Sequence, residues 1–215
     1  MKIPRFLFVH GWGFDRNFWE PVRRAMGQHN GDSLDFGYFG QSKLEYDWSQ
    51  PFIAVGHSLG FLWLLQQPLA ACIQLISING FSRFFAGSDW PFGVPQRVTK
   101  RMQLALHRDA KKTVDQFYET LGFFDTSEKR YGLAALDNGL EFLMTQDNRS
   151  IAKKQAHKIA IMASDQDPIV PVSLTKACFP TPTPILWNKD GSHLLPITDP
   201  DSCANFIRDV VKCIK

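Results

Sequence analysis

Three residues of this 215-residue chain, in the order Ser58, Asp167 and His193, have the types and settings to carry out nucleophilic acyl transfer. Ser58 is the centre of Gly56-His57-Ser58-Leu59-Gly60, with an apolar run over 52–55 before it and an apolar segment of helical character after it. Strand, sharp turn and helix in that order lift a serine hydroxyl clear of a sheet edge. Glycines two residues to either side let strand and helix close around a strained backbone. A serine hydroxyl is a weak nucleophile near neutral pH, so it needs a base to take its proton, and the base needs an acid to fix its tautomer. His193 follows the strand-like run 184–188, and Asp167 follows another at 158–163, so both stand at strand ends, where a parallel sheet places its chemistry. Ser58 is thus expected as nucleophile, His193 as base and Asp167 as acid. Asp165 competes for the acid role, and Asp167 is preferred because Pro168 and Pro171 fix the loop exit beside it. Taken singly, Asp167 also reads as a turn residue and His193 as a loop histidine; the ordered set of three is what points to catalysis.

A nucleophile of this kind also needs donors for the oxyanion. The apolar run 5–9 ends in His10-Gly11-Trp12-Gly13, where two glycines free the backbone to aim its N–H groups. The N–H of Trp12 is expected to pair with that of Leu59, the residue after the nucleophile. An ordinary strand-to-helix turn is the plainer reading of the same glycines. His57 and His10 adjoin the site and are read as structural, His10 bonding the glycine loop; His29, His107 and His157 are read as facing solvent.

The elements that must position these groups alternate between strand and helix through the first eighty residues. A strand at 5–9, an amphipathic helix at 17–26, short strands at 33–36 and 52–55, the helix after Ser58 and a strand at 72–78 imply βαβ units and a parallel sheet. The alternation stops between 81 and 146, where helical patterns alone recur: Val98, Met102, Ala105 and Leu106 on one face, then Val114, Phe117 and Leu121 in a segment capped by Asp109, then Leu133, Leu136, Leu140 and Leu143. The sheet resumes at 158–163 and 184–188. A last helix follows in which Asp199 caps, Pro200 takes the first turn, and Cys203, Phe206, Val210 and Cys213 face the core. The expected fold is α/β, a mostly parallel sheet flanked by helices, with a core formed by 1–80 and 147–215 and a helical lid at 81–146.

Composition narrows the function. With 44% hydrophobic residues the chain can bury one sizeable core, and a formal net charge of +3 gives no general affinity for polyanions, so no nucleic acid is expected as partner. The four cysteines, Cys72, Cys178, Cys203 and Cys213, have no C-x-x-C pairing and no zinc-like spacing with histidine. They are read as reduced, mostly core thiols of a cytoplasmic protein, with no metal and no other cofactor. No cleavable leader and no membrane span are expected, and the chain is expected to act as a monomer.

Together, His10-Gly11-Trp12-Gly13, the pentapeptide around Ser58, Asp167-Pro168-Ile169-Val170-Pro171 and Gly191-Ser192-His193 resemble the α/β hydrolase fold along nearly the whole chain. Ser82-Arg83-Phe84, Asp89-Trp90-Pro91, Val94-Pro95-Gln96-Arg97, Met102-Gln103 and Lys112-Thr113-Val114-Asp115-Gln116-Phe117 are more specific, and resemble the BioH family of pimeloyl-[acyl-carrier protein] methyl ester carboxylesterases. That resemblance implies cleavage of a methyl ester on a carrier-borne pimeloyl chain in biotin biosynthesis. It implies the roles given above for Ser58, His193, Asp167, Trp12 and Leu59, and an acyl channel lined by Met102, Gln103, Leu104, Ala105 and Leu106. Arg97, Lys100, Arg101, Arg108, Lys111 and Lys112 concentrate charge on the lid. Lys111 and Lys112 do so in a helix's first turn, where the macrodipole disfavours cations. Such a patch suits an acidic acyl carrier protein, and a solvated helix face is the plainer alternative. Two departures stand out: a short loop between Gly40 and Pro51, and Phe61 where a further glycine is usual. A broader esterase for small acyl esters and a non-catalytic binding protein of the same fold are the alternative readings.

Overall fold

The computed structural model describes residues 5–27, 31–179 and 183–214; His29 lies outside them. Strand β1 (Arg5–Val9) runs into a 3-10 turn at Arg16–Trp19 and helix α1 (Glu20–Ala25), followed by β2 (Gly31–Leu34), β3 (Phe52–His57), α2 (Leu59–Leu64) and β4 (Cys72–Ile78). Four helices then intervene, α3 (Gln96–Arg108), α4 (Ala110–Thr120), α5 (Leu133–Thr145) and α6 (Arg149–Lys154). Next come β5 (Ile159–Ser164), α7 (Val172–Cys178), β6 (Ile185–Asn188), α8 (Leu195–Thr198) and α9 (Pro200–Lys212). The six strands form one sheet in the order β2-β1-β3-β4-β5-β6, and every neighbouring pair is parallel.

Parallel strands covered on both faces read as continuous apolar runs rather than as alternation. β3 is buried at all six positions and β1 at four of five. The crossing of β1, β3 and α2 is where backbones approach most closely. A Cβ on Gly60 would collide with the carbonyl oxygens of Val9 and His10, and one on Gly56 would lie 2.6 Å from Phe61 Cα. Phe61 is wholly buried in the room that glycines leave, its Cβ 2.6 Å from where a side chain on Gly80 would begin.

Two expectations change. β2 covers 31–34 rather than 33–36. Along α9 the buried residues are Cys203, Ala204 and Ile207; Phe206 and Val210 are half-buried and Cys213 is exposed. The apolar face does continue, but beyond Ile207 it borders an open groove beside β5 and β6 rather than packed core. Asp199 caps this helix as expected, accepting from the Ser202 N–H.

The stretch from 81 to 146 contains no strand among the described residues, only isolated bridges. Its two ends are clasped together. Arg83 donates to Asp147 (2.8 Å), Arg149 donates to Asp89 and Asp147 (2.6 Å each), and the Asn148 N–H bonds the Ser82 carbonyl (2.8 Å). Asp109 accepts from the Lys112 N–H and so caps α4.

Because the Gly60 position faces backbone rather than a yielding side chain, Gly60→Ala is expected to destabilise the fold by about 3 kcal/mol, the upper end for overpacking. Urea denaturation followed by circular dichroism measures it.

Candidate active site

Ser58 sits between the end of β3 and the start of α2 with φ 53° and ψ −123°, a backbone conformation that non-glycine residues rarely adopt. Its N–H donates to the Ile78 carbonyl (3.3 Å), and its own carbonyl accepts from Phe61 and Leu62. The turn is thereby held from β4 and from its own helix. The N–H of Leu59, in the first turn of α2, has no partner within that helix. The N–H of Trp12 likewise donates to no protein acceptor among the described residues.

His193 and Asp167 come from the loops after β6 and β5 and are both buried. The His193 Nδ1–H donates to Asp167 Oδ2 at 2.7 Å, while Asp167 Oδ1 accepts from the N–H groups of Ile169 (2.7 Å) and Val170 (2.9 Å). With its other oxygen held by two backbone donors, the carboxyl group fixes the histidine tautomer and ring orientation. Asp165 lies elsewhere, accepting from the Asp190 N–H (3.0 Å) and bracing the histidine loop from outside. Ser58 and His193 both line a cavity of about 700 Å³. No hydrogen bond joins their side chains among the described residues; such contacts tighten when substrate binds.

The glycine loop is held by three polar contacts. His10 Nδ1–H donates to the Gly11 carbonyl (2.8 Å), the Trp12 indole N–H to Leu136 O on α5 (2.8 Å), and the Tyr118 hydroxyl on α4 to Gly13 O (2.5 Å). Gly139 lets α5 come close enough for this, since a Cβ there would lie 2.7 Å from the Trp12 ring.

Solved structures share this architecture. The bromoperoxidase from Bacillus anthracis superposes with a TM-score of 0.77 at 16% identity, covering 97% of this chain and 92% of that one. A thermophilic esterase from Thermogutta terrifontis gives 0.75 at 13% identity, covering 99% and 90%. The chain has the α/β hydrolase fold. No family model matches it. A curated relative, the pimeloyl-[acyl-carrier protein] methyl ester esterase of Legionella pneumophila (strain Paris), is 26% identical over 233 aligned positions, covering 98% of this chain and 95% of its own. The resemblance to the BioH esterases and the enzyme class expected from the sequence, a carboxylic ester hydrolase, both stand.

Within this hydrolase the helices after β4 wall the cavity. From α3 come Val98, Arg101, Met102 and Ala105; from α4 Gln116 and Phe117; from α5 Leu140 and Leu143. Of the five consecutive residues expected to line an acyl channel, Met102 and Ala105 do so, whereas Gln103, Leu104 and Leu106 do not. A helix turns about 100° per residue, so only positions three or four apart share a face. Leu104 points into solvent and Leu106 into the core. Val98, expected in the buried face, is 51% exposed at the cavity rim, and Leu133 is also exposed.

All six basic residues, Arg97, Lys100, Arg101, Arg108, Lys111 and Lys112, are exposed. Lys111 pairs with Asp115 at 2.7 Å, one turn on, which offsets its unfavourable place at the helix start and raises its pKa. The other five form no ion pair among the described residues.

Sequence reasoning missed Tyr118 and Asn79. Asn79 signals only a strand end in the sequence, yet it is buried at the centre of the histidine loop's hydrogen bonds. His107 and His157 are exposed as expected. Among the described residues no cluster of histidine, cysteine or acidic side chains could hold a metal ion, and no helix is long and apolar enough to cross a membrane.

Burial, reinforced by the neighbouring His193, holds the pKa of His57 well below 6.5. The unfolded chain therefore binds a proton at this residue that the native state refuses, and stability falls as pH drops below about 6.5. His57→Gln is expected to flatten that acid slope, measured as Tm between pH 5 and 6.5.

Proposed function

We propose that this protein is a serine carboxylesterase that removes the methyl ester from a pimeloyl chain carried on acyl carrier protein, a step of biotin biosynthesis. The observation that carries the catalytic reading is the strained Ser58 and His193 at one cavity, with the buried Asp167 bonded to His193 from behind. His193 accepts the Ser58 proton as Oγ attacks the ester carbonyl. The oxyanion lies against the N–H groups of Trp12 and Leu59, and the proton passes to the departing methoxide, which leaves as methanol. Water, deprotonated by His193, then hydrolyses the acyl-enzyme, and Ser58 recovers its proton as the free acid leaves. These steps need no cofactor.

Supporting the substrate assignment are the name of the Legionella relative, the apolar side chains that α3, α4 and α5 present to the cavity, and the unpaired cations on the helices above it. In this reading 81–146 is a lid over the core formed by 1–80 and 147–215. Arg97, Lys100, Arg101, Arg108 and Lys112 meet the acidic carrier, with Lys111 at the margin. The enzyme works as a soluble monomer in the cytoplasm.

Release of free acid from methyl-pimeloyl carrier protein, beside a small soluble methyl ester, tests both levels. Ser58→Ala should lose both reactions by about 10⁴-fold or more. Replacing Arg97, Lys100, Arg108 and Lys112 by Gln should raise KM for the carrier-borne ester about tenfold and weaken its salt dependence, because such rim charges act through association. Turnover of the small ester should stay unchanged. A wild-type enzyme that cleaves only the small ester is a broader esterase; one that cleaves neither is a binding protein of this fold.

A further inference from the structure

In the triad the imidazole of His193 is held by Asp167, but a ring fixed at one nitrogen can still swing with its backbone. Its peptide is fixed by groups outside the triad. The His193 carbonyl accepts from two side chains that project from the ends of two other strands, His57 Nε2–H at 2.8 Å and Asn79 Nδ2–H at 2.9 Å. Asn79 Nδ2 also reaches Ser192 O (3.0 Å) and Ser164 Oγ (3.1 Å), and Ser164 Oγ donates to Ser192 O (2.7 Å). On its other side Asn79 Oδ1 accepts the Ser164 N–H at 2.8 Å. His57 and Asn79 are both essentially without solvent exposure.

Two demands meet at position 79. The backbone is left-handed, φ 49°, which glycine, asparagine and aspartate tolerate best. The side chain must accept from one backbone group while donating to two carbonyls, which an amide can do and a carboxylate cannot. Glycine meets the first demand alone, and aspartate fails the second.

We propose that Asn79 and His57 are positioning residues that together clamp the His193 carbonyl, setting the aim of the imidazole toward Ser58. The inference rests on the triad reading above. Neither residue exchanges a proton in the reaction; each acts through the histidine peptide. Displacing a catalytic group by about 1 Å costs on the order of 10²-fold in rate, so losing the clamp lowers kcat and leaves KM nearly unchanged. The titratable groups facing His193 are Asp167 and His57.

The test uses the purified full chain and a small soluble methyl ester, with active sites counted by a stoichiometric serine-directed phosphonate. Asn79→Asp changes one heavy atom, keeps the turn and removes both donors. His57→Phe removes the second clamp, whereas His57→Gln can restore an N–H near the Nε2 position. Asn79→Asp and His57→Phe are each expected to lower kcat per active site about tenfold or more, with KM within about twofold. Their double variant should lose less than the product of the two, since both act on one carbonyl. His57→Gln should recover most of the His57→Phe loss. Wild-type kcat in Asn79→Asp, or multiplicative losses in the double variant, overturns the clamp. Should Asn79→Asp fail to fold, the His57→Phe and His57→Gln pair decides: equal kcat in those two overturns it. Ser58→Ala separates the two levels, because if it retains turnover the triad reading itself fails, whereas an inert Ser58→Ala beside fully active clamp variants removes the clamp alone.

Discussion

Everything at this site depends on how closely three backbones approach at one crossing. The Cα of Gly60 lies against the carbonyls of Val9 and His10, and Gly56 lies against the backbone of Phe61. The first contact brings the glycine loop after β1 beside the N-terminus of α2. The second lets α2 leave β3 at the sharp angle that forces Ser58 to positive φ. Strain of that kind costs about 1–3 kcal/mol and persists where surrounding packing over-determines it. Here the surrounding packing is β3 and α2 together, with Ile53 and Val55 of the strand and Leu62 and Leu64 of the helix fully enclosed.

Much of this was legible in the sequence because it rests on local rules. Gly56 and Gly60 around Ser58 declare the turn, and the solid apolar runs of β1, β3 and β5 declare a covered parallel sheet. Pro168 and Pro171 marked the loop that aims Asp167, whose two backbone donors follow directly from that turn. What stayed hidden depends on contacts between residues far apart in the chain. The role of Asn79 arises only when β4, β5 and the loop after β6 come together, across more than a hundred residues. The lining of the cavity was half legible, since periodicity gives a helix its faces but not which face meets the void. So Met102 and Ala105 are on it and Leu104 is not.

Polar bonding at the site is divided between two levels. The reacting groups make few, short contacts, His193 to Asp167 and the Ile169 N–H to Asp167 both at 2.7 Å. Beneath them, the imidazole of His57, the amide of Asn79 and the hydroxyl of Ser164, at three strand ends, hold the Ser192 and His193 carbonyls. A buried network of this kind is most useful when every member is satisfied, because a lone unmade bond in a dry interior is costly. His57 shows the cost: its Nε2–H is used, while Nδ1 is enclosed beside Gly11 with no partner among the described residues.

The bonds from Tyr118 to Gly13 and from Trp12 to Leu136 join helices α4 and α5 to the loop beside the nucleophile. Leu106, Val114, Tyr118, Leu136 and Leu140 belong to the same apolar cluster as the strands. A segment joined to the sheet by both kinds of contact is no separate melting unit. Its amides share the protection of the strands against hydrogen exchange, and loss of either part is felt in a single cooperative transition.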